Sequence, residues 1–132
     1  MLGDKRVMTA IPVQDVNRAR RFYEDLLGLT VVGGPLPDGS LEYECGAGTG
    51  VFTYPTAENA GKSPATLAGW FVDDLAQTME ELASRGVAFE QYDQPGIKTD
   101  ERGVFDAGRF RAAWVKDPDG NTMAITEVSG QA

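Results

Sequence analysis

Two stretches of the chain are written in the same order of residue types, and this repeat limits the available folds more than any other feature. The first runs Met8-Thr9-Ala10-Ile11-Pro12-Val13, Gln14-Asp15, an amphipathic segment from Val16 to about Leu27, Gly28, and Leu29-Thr30-Val31-Val32. The second runs Leu67-Ala68-Gly69-Trp70-Phe71-Val72, Asp73-Asp74, an amphipathic segment from Leu75 to about Ser84, Gly86, and Val87-Ala88-Phe89-Glu90. Val13 to Gly28 spans 15 positions and Val72 to Gly86 spans 14, so the halves superimpose almost without a gap. Each half predicts strand, helix, strand.

The helical segments carry their own boundary signals. Val16, Ala19, Phe22, Tyr23, Leu26 and Leu27 recur at spacings of three and four, as do Leu75, Met79, Leu82 and Ala83, so each helix has one apolar stripe to bury against a sheet. Asp15 and Asp74 suit the N-cap, where a carboxylate accepts unpaired first-turn amides, and Gly28 and Gly86 suit the left-handed C-terminal position. Further strands are expected at Leu41 to Cys45 and Val51 to Tyr54, then at Arg109 to Val115 and Met123 to Glu127. Pro37-Asp38-Gly39, Gly46-Ala47-Gly48 and Asp117-Pro118-Asp119-Gly120-Asn121 supply the tight turns. Thr56 to Pro64 reads as a connector, and Tyr92 to Gly108 as a long loop suited to rim a site. The expectation is an α+β chain of two tandem βαβββ modules, about 7–56 and 66–128. They form a curved mixed sheet around a cavity in one domain of 132 residues.

Composition removes whole classes of chemistry. The chain has no histidine, which excludes Ser-His-Asp triads, Cys-His pairs and imidazole metal ligands. One cysteine, Cys45, excludes an intrachain disulfide and any multi-cysteine metal site, and without imidazole nearby it reads as a structural thiol. A net charge of -8 argues against nucleic-acid and anionic-membrane partners. The apolar runs fall far short of the roughly 20 residues of a spanning helix, so a cytoplasmic location is expected.

The run from Val13-Gln14-Asp15 through Arg20-Arg21-Phe22-Tyr23-Glu24-Asp25-Leu26-Leu27-Gly28-Leu29, with the later Asp117-Pro118-Asp119-Gly120-Asn121 turn, resembles the vicinal oxygen chelate superfamily. This superfamily includes glyoxalase I, the extradiol dioxygenases and the bleomycin-resistance proteins. The resemblance implies paired modules enclosing a cavity, and a homodimer. Catalytic members hold a divalent metal with His or Glu on inner strands. Carried onto this chain, those positions fall on Met8, Leu67, Ala124 and the strand Val51-Phe52-Thr53-Tyr54, none of which is a carboxylate or imidazole. No metal and no cofactor are therefore expected, and the family's metal chemistry is not transferred. An oxygen site drawn from Glu42, Glu44, Glu90 or Glu127 has no support in their spacing.

Strand alternation puts Met8, Ala10 and Pro12 on the cavity side and Thr9, Ile11 and Val13 toward the helix. The same logic turns Leu67, Gly69 and Phe71 inward and Trp70 toward the helix layer, and Ala124 and Thr126 continue the inner face. Tyr43, Phe52, Tyr54 and Trp114 face either the cavity or the core. The expected ligand-binding set is Met8, Tyr43, Phe52, Tyr54, Leu67, Phe71, Trp114 and Ala124, an apolar and partly aromatic pocket. Its function is expected to be sequestering a small apolar or aromatic compound, a cation included, with Glu44 or Asp106 supplying charge. The alternative is a metal-independent isomerase or lyase using Glu44, Tyr43 or Arg111. A third reading is an interaction module with no small ligand. Lys98, Arg102, Arg109 and Arg111 could clamp an anion at the rim, but Arg109 and Arg111 read better as a solvent face, as do Arg18, Arg20 and Arg21.

Overall fold

The computed structural model describes residues 1–128. Its strands assemble into two four-stranded sheets of matching order, β1 (Met8–Val13), β4 (Gly50–Pro55), β3 (Leu41–Glu44), β2 (Thr30–Val32) in one and β5 (Thr66–Phe71), β10 (Thr122–Val128), β9 (Phe110–Lys116), β8 (Phe105–Asp106) in the other, with a separate two-stranded ribbon. The described residues divide into two compact units, 1–67 with 118–121 and 68–117 with 122–128.

In the first unit, β1 (Met8–Val13) leads into α1 (Val16–Arg20), followed by β2 (Thr30–Val32), β3 (Leu41–Glu44) and β4 (Gly50–Pro55). β1 runs parallel to β4, while β3 pairs antiparallel with both β2 and β4. Asp15 caps α1 as expected, its side chain accepting from the Arg18 amide at 3.1 Å. From Arg21 to Leu26 the helix widens into a π-helical stretch, with the Leu27 amide reaching back five residues to Phe22 at 3.0 Å. The wider turn lets two consecutive rings, Phe22 and Tyr23, both face the sheet. They pack edge to face, their centroids 5.1 Å apart. Beneath them lie Ile11, Val13, Leu41, Tyr43, Val51 and Thr53, all buried. Side chains of this size contribute roughly 1.5–3 kcal/mol each on full burial, so this alternate-residue face carries the unit.

The turn 118–121 completes the first unit. Asn121 is 1% exposed; its Nδ2 donates to the Pro12 carbonyl at 2.7 Å and its Oδ1 accepts from the Gly61 amide at 3.1 Å. Asp119 accepts from the Gln14 amide and from Arg18 Nη2 at 2.9 Å. Gly61 has φ +70, and a Cβ there would collide with the Asp119 carbonyl, so this approach requires glycine.

In the second unit, β5 (Thr66–Phe71) enters from the end of the first, and α2 (Leu75–Ser84) follows. Asp74 caps α2 through the Gln77 amide at 3.0 Å. Leu75, Met79, Leu82 and Val87 are buried with Ala113, Val115, Met123 and Ile125 from β9 (Phe110–Lys116) and β10 (Thr122–Val128). One expectation fails here. The strand expected from Val87 to Glu90 is reduced to a single bridge, Phe89 to Val115. Further along β9, opposite Ala112 and Arg111, the edge is taken by β8 (Phe105–Asp106), from the segment expected as loop. The tight reversal after it explains why. Asp106 accepts from the Gly108 amide at 2.8 Å and the Ala107 amide bonds the Phe110 carbonyl at 2.9 Å, so β8 folds straight back onto β9. Closing so short a loop costs little entropy. The rest of that segment forms β6 (Asp93–Gln94) and β7 (Ile97–Lys98).

Candidate ligand-binding face

Cross-strand register decides which side chains share a face. In the first sheet Ala10 is opposite Phe52, Pro12 opposite Tyr54, and Glu42 opposite Phe52, so these residues lie on the side away from α1. The Phe52 and Tyr54 rings stack at 6.4 Å with a 17° interplanar angle. Met8 stands opposite Gly50 on the same face. Toward the other end Arg6 bonds Glu42 at 3.1 Å, and a cleft of about 210 Å³ is lined by Arg6, Val32, Glu42, Glu44, Gly48 and Thr49.

Tyr43 lies on the opposite side, which corrects its expected place among the ligand contacts. It is fully buried, pairs with Val51 and Val31, and packs against Tyr23 with centroids 6.2 Å apart. Its hydroxyl donates to Glu24 Oε2 at 2.8 Å, and Arg20 grips the same carboxylate through Nε at 2.7 Å. The hydrogen bond from Arg20 holds Glu24 below the usual carboxylate range. Burial, with the neighbouring carboxylate, pushes the Tyr43 phenol up, so it stays protonated as a fixed donor and is unsuited to proton transfer. The group is a structural network of the helix layer.

In the second sheet Ala124 is opposite Trp114, Thr126 opposite Ala112, Val128 opposite Phe110, and Phe105 opposite Ala112. A Cβ on Gly69 would lie 3.9 Å from that of Ala124, so Gly69 shares this face, and alternation adds Leu67 and Phe71. Phe71 is 80% exposed. On this face the aromatic rings gather. Trp114 lies 6.2 Å from Phe105 and 5.4 Å from Tyr92, centroid to centroid, while Phe105 meets Phe110 at 6.1 Å. The Tyr92–Trp114 pair is edge to face at 82°. Burial, and then the charge of Glu90, raises the Tyr92 phenol above its ordinary range. Glu90 is bonded to the Trp114 carbonyl through its amide at 2.8 Å, and its carboxylate is 3.9 Å from Lys116 Nζ.

Arg111 and Glu127 pair on the α2 side at 2.6 Å, and Glu127 also accepts from the Leu75 amide at 2.9 Å. Arg111 is therefore engaged in holding the start of α2, correcting its candidacy both as a catalytic group and as an anion clamp. Asp106 stands opposite Arg111, on the same side, so it does not supply charge to the aromatic face. Glu44 is exposed.

The rings of Tyr92, Phe105 and Phe110 were absent from the sequence expectations because all three lie in or beside the segment read as loop. A signal for two of them exists. In Phe105-Asp106-Ala107-Gly108-Arg109-Phe110, an Asx turn sits between two aromatics, which is the pattern of a tight hairpin.

The donor set does not fit the metal that the superfamily's catalytic members carry. Met8 stands opposite Gly50, Ala124 opposite Trp114, and the residues of β4 facing with Met8 are Gly50, Phe52 and Tyr54. None offers a carboxylate or imidazole, nor does Leu67. Among the described residues no group of three or more His, Cys, Asp or Glu could hold a metal ion. No helix among them is long and apolar enough to cross a membrane.

Two sheets of the same strand order, each backed by a capped helix and turning an aromatic face away from it, define an α+β chain of the two-module type. The model of the Glyoxalase/Bleomycin resistance protein/Dioxygenase superfamily matches residues 5–125, and the chain belongs to that superfamily. Among curated proteins none matches. Among solved structures, TnmS3, an antibiotic binding protein from Streptomyces sp. CB03234, is 22% identical with a TM-score of 0.69, covering 98% of this chain and 99% of its own. A glyoxalase/bleomycin resistance protein from Catenulispora acidiphila DSM 44928 is 23% identical with a TM-score of 0.66, covering 93% and 97%. UcmS2 is 18% identical with a TM-score of 0.67, covering 92% and 96%. At these identities the likeness is one of fold.

Proposed function

We infer that this protein binds, and so sequesters, a small flat apolar or aromatic compound without the help of a metal. The observation that carries the reading is the position of Trp114 among Phe105, Phe110 and Tyr92 on the sheet face that α2 leaves uncovered. An indole presented this way offers stacking area and no reactive group, which suits binding better than turnover. TnmS3, an antibiotic binding protein of this fold, points the same way. An isomerase or lyase would need a free acid or base enclosed with its substrate, whereas the Tyr43 hydroxyl and the Arg111 guanidinium are tied to carboxylates and Glu44 is exposed to solvent. In this reading the protein works in the cytoplasm as a homodimer, a state that sedimentation of the purified chain would check.

The test is calorimetric titration with 9-aminoacridine, a flat cation, and with neutral acridine, in the presence of EDTA. Wild-type protein is expected to bind with one site per chain, and Trp114→Ala to lose about tenfold or more in affinity, as removal of a stacking partner implies. Equal binding by both proteins overturns the assignment of the site.

A further inference from the structure

Between Glu90 and Gly103 the chain leaves the second sheet and returns to it, and its hydrogen bonds on the way close on themselves. Gln91 Nε2 donates to the Glu101 carbonyl at 2.6 Å, the Thr99 amide bonds the Tyr92 carbonyl at 2.9 Å, and Thr99 Oγ1 accepts from the Tyr92 amide at 2.8 Å. β6 and β7 pair across the Pro95-Gly96 turn, and Asp100 accepts from the Arg102 and Val104 amides. The outcome is a strap with its own hydrogen-bond set. It meets the sheet through the Glu90 amide, bonded to the Trp114 carbonyl, and through the Tyr92 ring set edge-on against the indole.

At its base the two legs come very close. Gly103 has φ +95, and a Cβ there would lie 2.8 Å from the Glu90 carbonyl oxygen and 3.2 Å from Phe89 Cβ. A larger residue at 103 drives the legs apart.

Tyr92 gives Trp114 what a flat ligand would give it, a ring against the indole. The two therefore compete for one area. We propose that Tyr92 is a built-in occupant of this site, carried on the strap, and that an incoming ligand must displace it. The proposal rests on the reading of Trp114 as the ligand platform. Its consequence is a ligand class: a single ring replaces the Tyr92 contact with little gain, whereas a fused system of two or three rings covers more indole than the phenol does. Because every ligand must overcome the same Tyr92 contact, only those with stacking to spare, fused polycyclic compounds, occupy the site at low concentration.

The experiment compares 9-aminoacridine with the single-ring cation 4-aminopyridine on wild-type protein, Tyr92→Ala, Gly103→Ala and Trp114→Ala. Removing the competitor is expected to tighten both probes by a similar factor of about two- to tenfold, the equilibrium value of one aromatic pair, since each must displace it. Gly103→Ala is expected to move binding in the same direction. Hydrogen exchange at the Glu90 amide, which bonds the Trp114 carbonyl, is expected to quicken when 9-aminoacridine binds to wild-type protein, as the strap lifts. Weaker binding of both probes by Tyr92→Ala makes Tyr92 a wall of the site and overturns the proposal, as does unchanged affinity for both. In either case a loss of binding in Trp114→Ala leaves the platform reading standing. Binding by Trp114→Ala equal to wild type, or by neither wild type nor Tyr92→Ala, overturns both.

Discussion

Asn121 holds Pro12: its Nδ2 donates to the proline carbonyl at 2.7 Å, across 109 positions of sequence, while its Oδ1 takes the Gly61 amide. Three distant segments meet at one amide group that is 1% exposed. Asn121→Ala leaves a carbonyl and an amide without their partner, at a cost of about 2–4 kcal/mol. For a chain of this length the midpoint is expected to fall by about 5–20 °C, measurable by calorimetry. Asn121→Asp keeps the acceptor but loses the donor, and is expected to fall between the two.

The Glu24–Tyr43 hydrogen bond sets two limits on stability. Arg20 holds the Glu24 pKa below its unfolded value, so the unfolded chain binds more protons in acid. That stability is present above the ordinary carboxylate range and is lost as pH falls through the lower, folded value. Tyr43 is shifted the other way, chiefly by burial. Its share is present below about pH 10 and is lost as pH rises beyond that, where the unfolded phenol ionises first. Tyr43→Phe is expected to cost about 1–2 kcal/mol at neutral pH and to flatten the alkaline side of the profile. Urea unfolding across pH 3 to 11 reads both limbs.

Much of this architecture is legible from residue order. Asp15 and Asp74 announce their helices because capping is local chemistry, and Ile11, Val13 and Val51 reveal the buried face through strand alternation. Tyr43 and Trp114 are different, since a tyrosine or tryptophan on a strand suits either side of a sheet. Register against Val51 sends the first inward, and register against Ala124 sends the second outward. The strand expected at Val87 to Glu90 fails for a related reason. It meets the neighbouring strand only at Val115 and Trp114, while Phe105–Asp106 takes Ala112 and Arg111 of the same edge, and such sharing between distant segments is not encoded in local patterning.

Glu90 is the carboxylate that flanks the aromatic face, beside Tyr92 and partly offset by Lys116 at 3.9 Å. With a net charge of -8 behind it, the face is expected to favour a flat cation over its neutral analogue. Raising salt from 50 to 500 mM is expected to weaken 9-aminoacridine severalfold and to leave acridine unchanged, because screening acts on the charge and not on the stacking. Glu90→Gln is expected to remove part of that salt dependence. Salt-independent binding of both dyes would show that stacking alone holds them.

The chain has two tryptophans, and their strands place them on opposite faces of the second sheet: Trp70 alternates with Gly69 toward α2, and Trp114 stands beside Phe105 on the open side. Trp70→Phe therefore leaves Trp114 as the sole indole reporter, at the centre of the site. The most direct measurement is titration of this variant's fluorescence with 9-aminoacridine in EDTA. Saturable quenching at one dye per chain, abolished by competing unlabelled polycyclic compound and indifferent to added zinc or manganese, is the expected result. Absence of saturable quenching, or quenching that appears only when a metal is supplied, would contradict a metal-free aromatic site at Trp114.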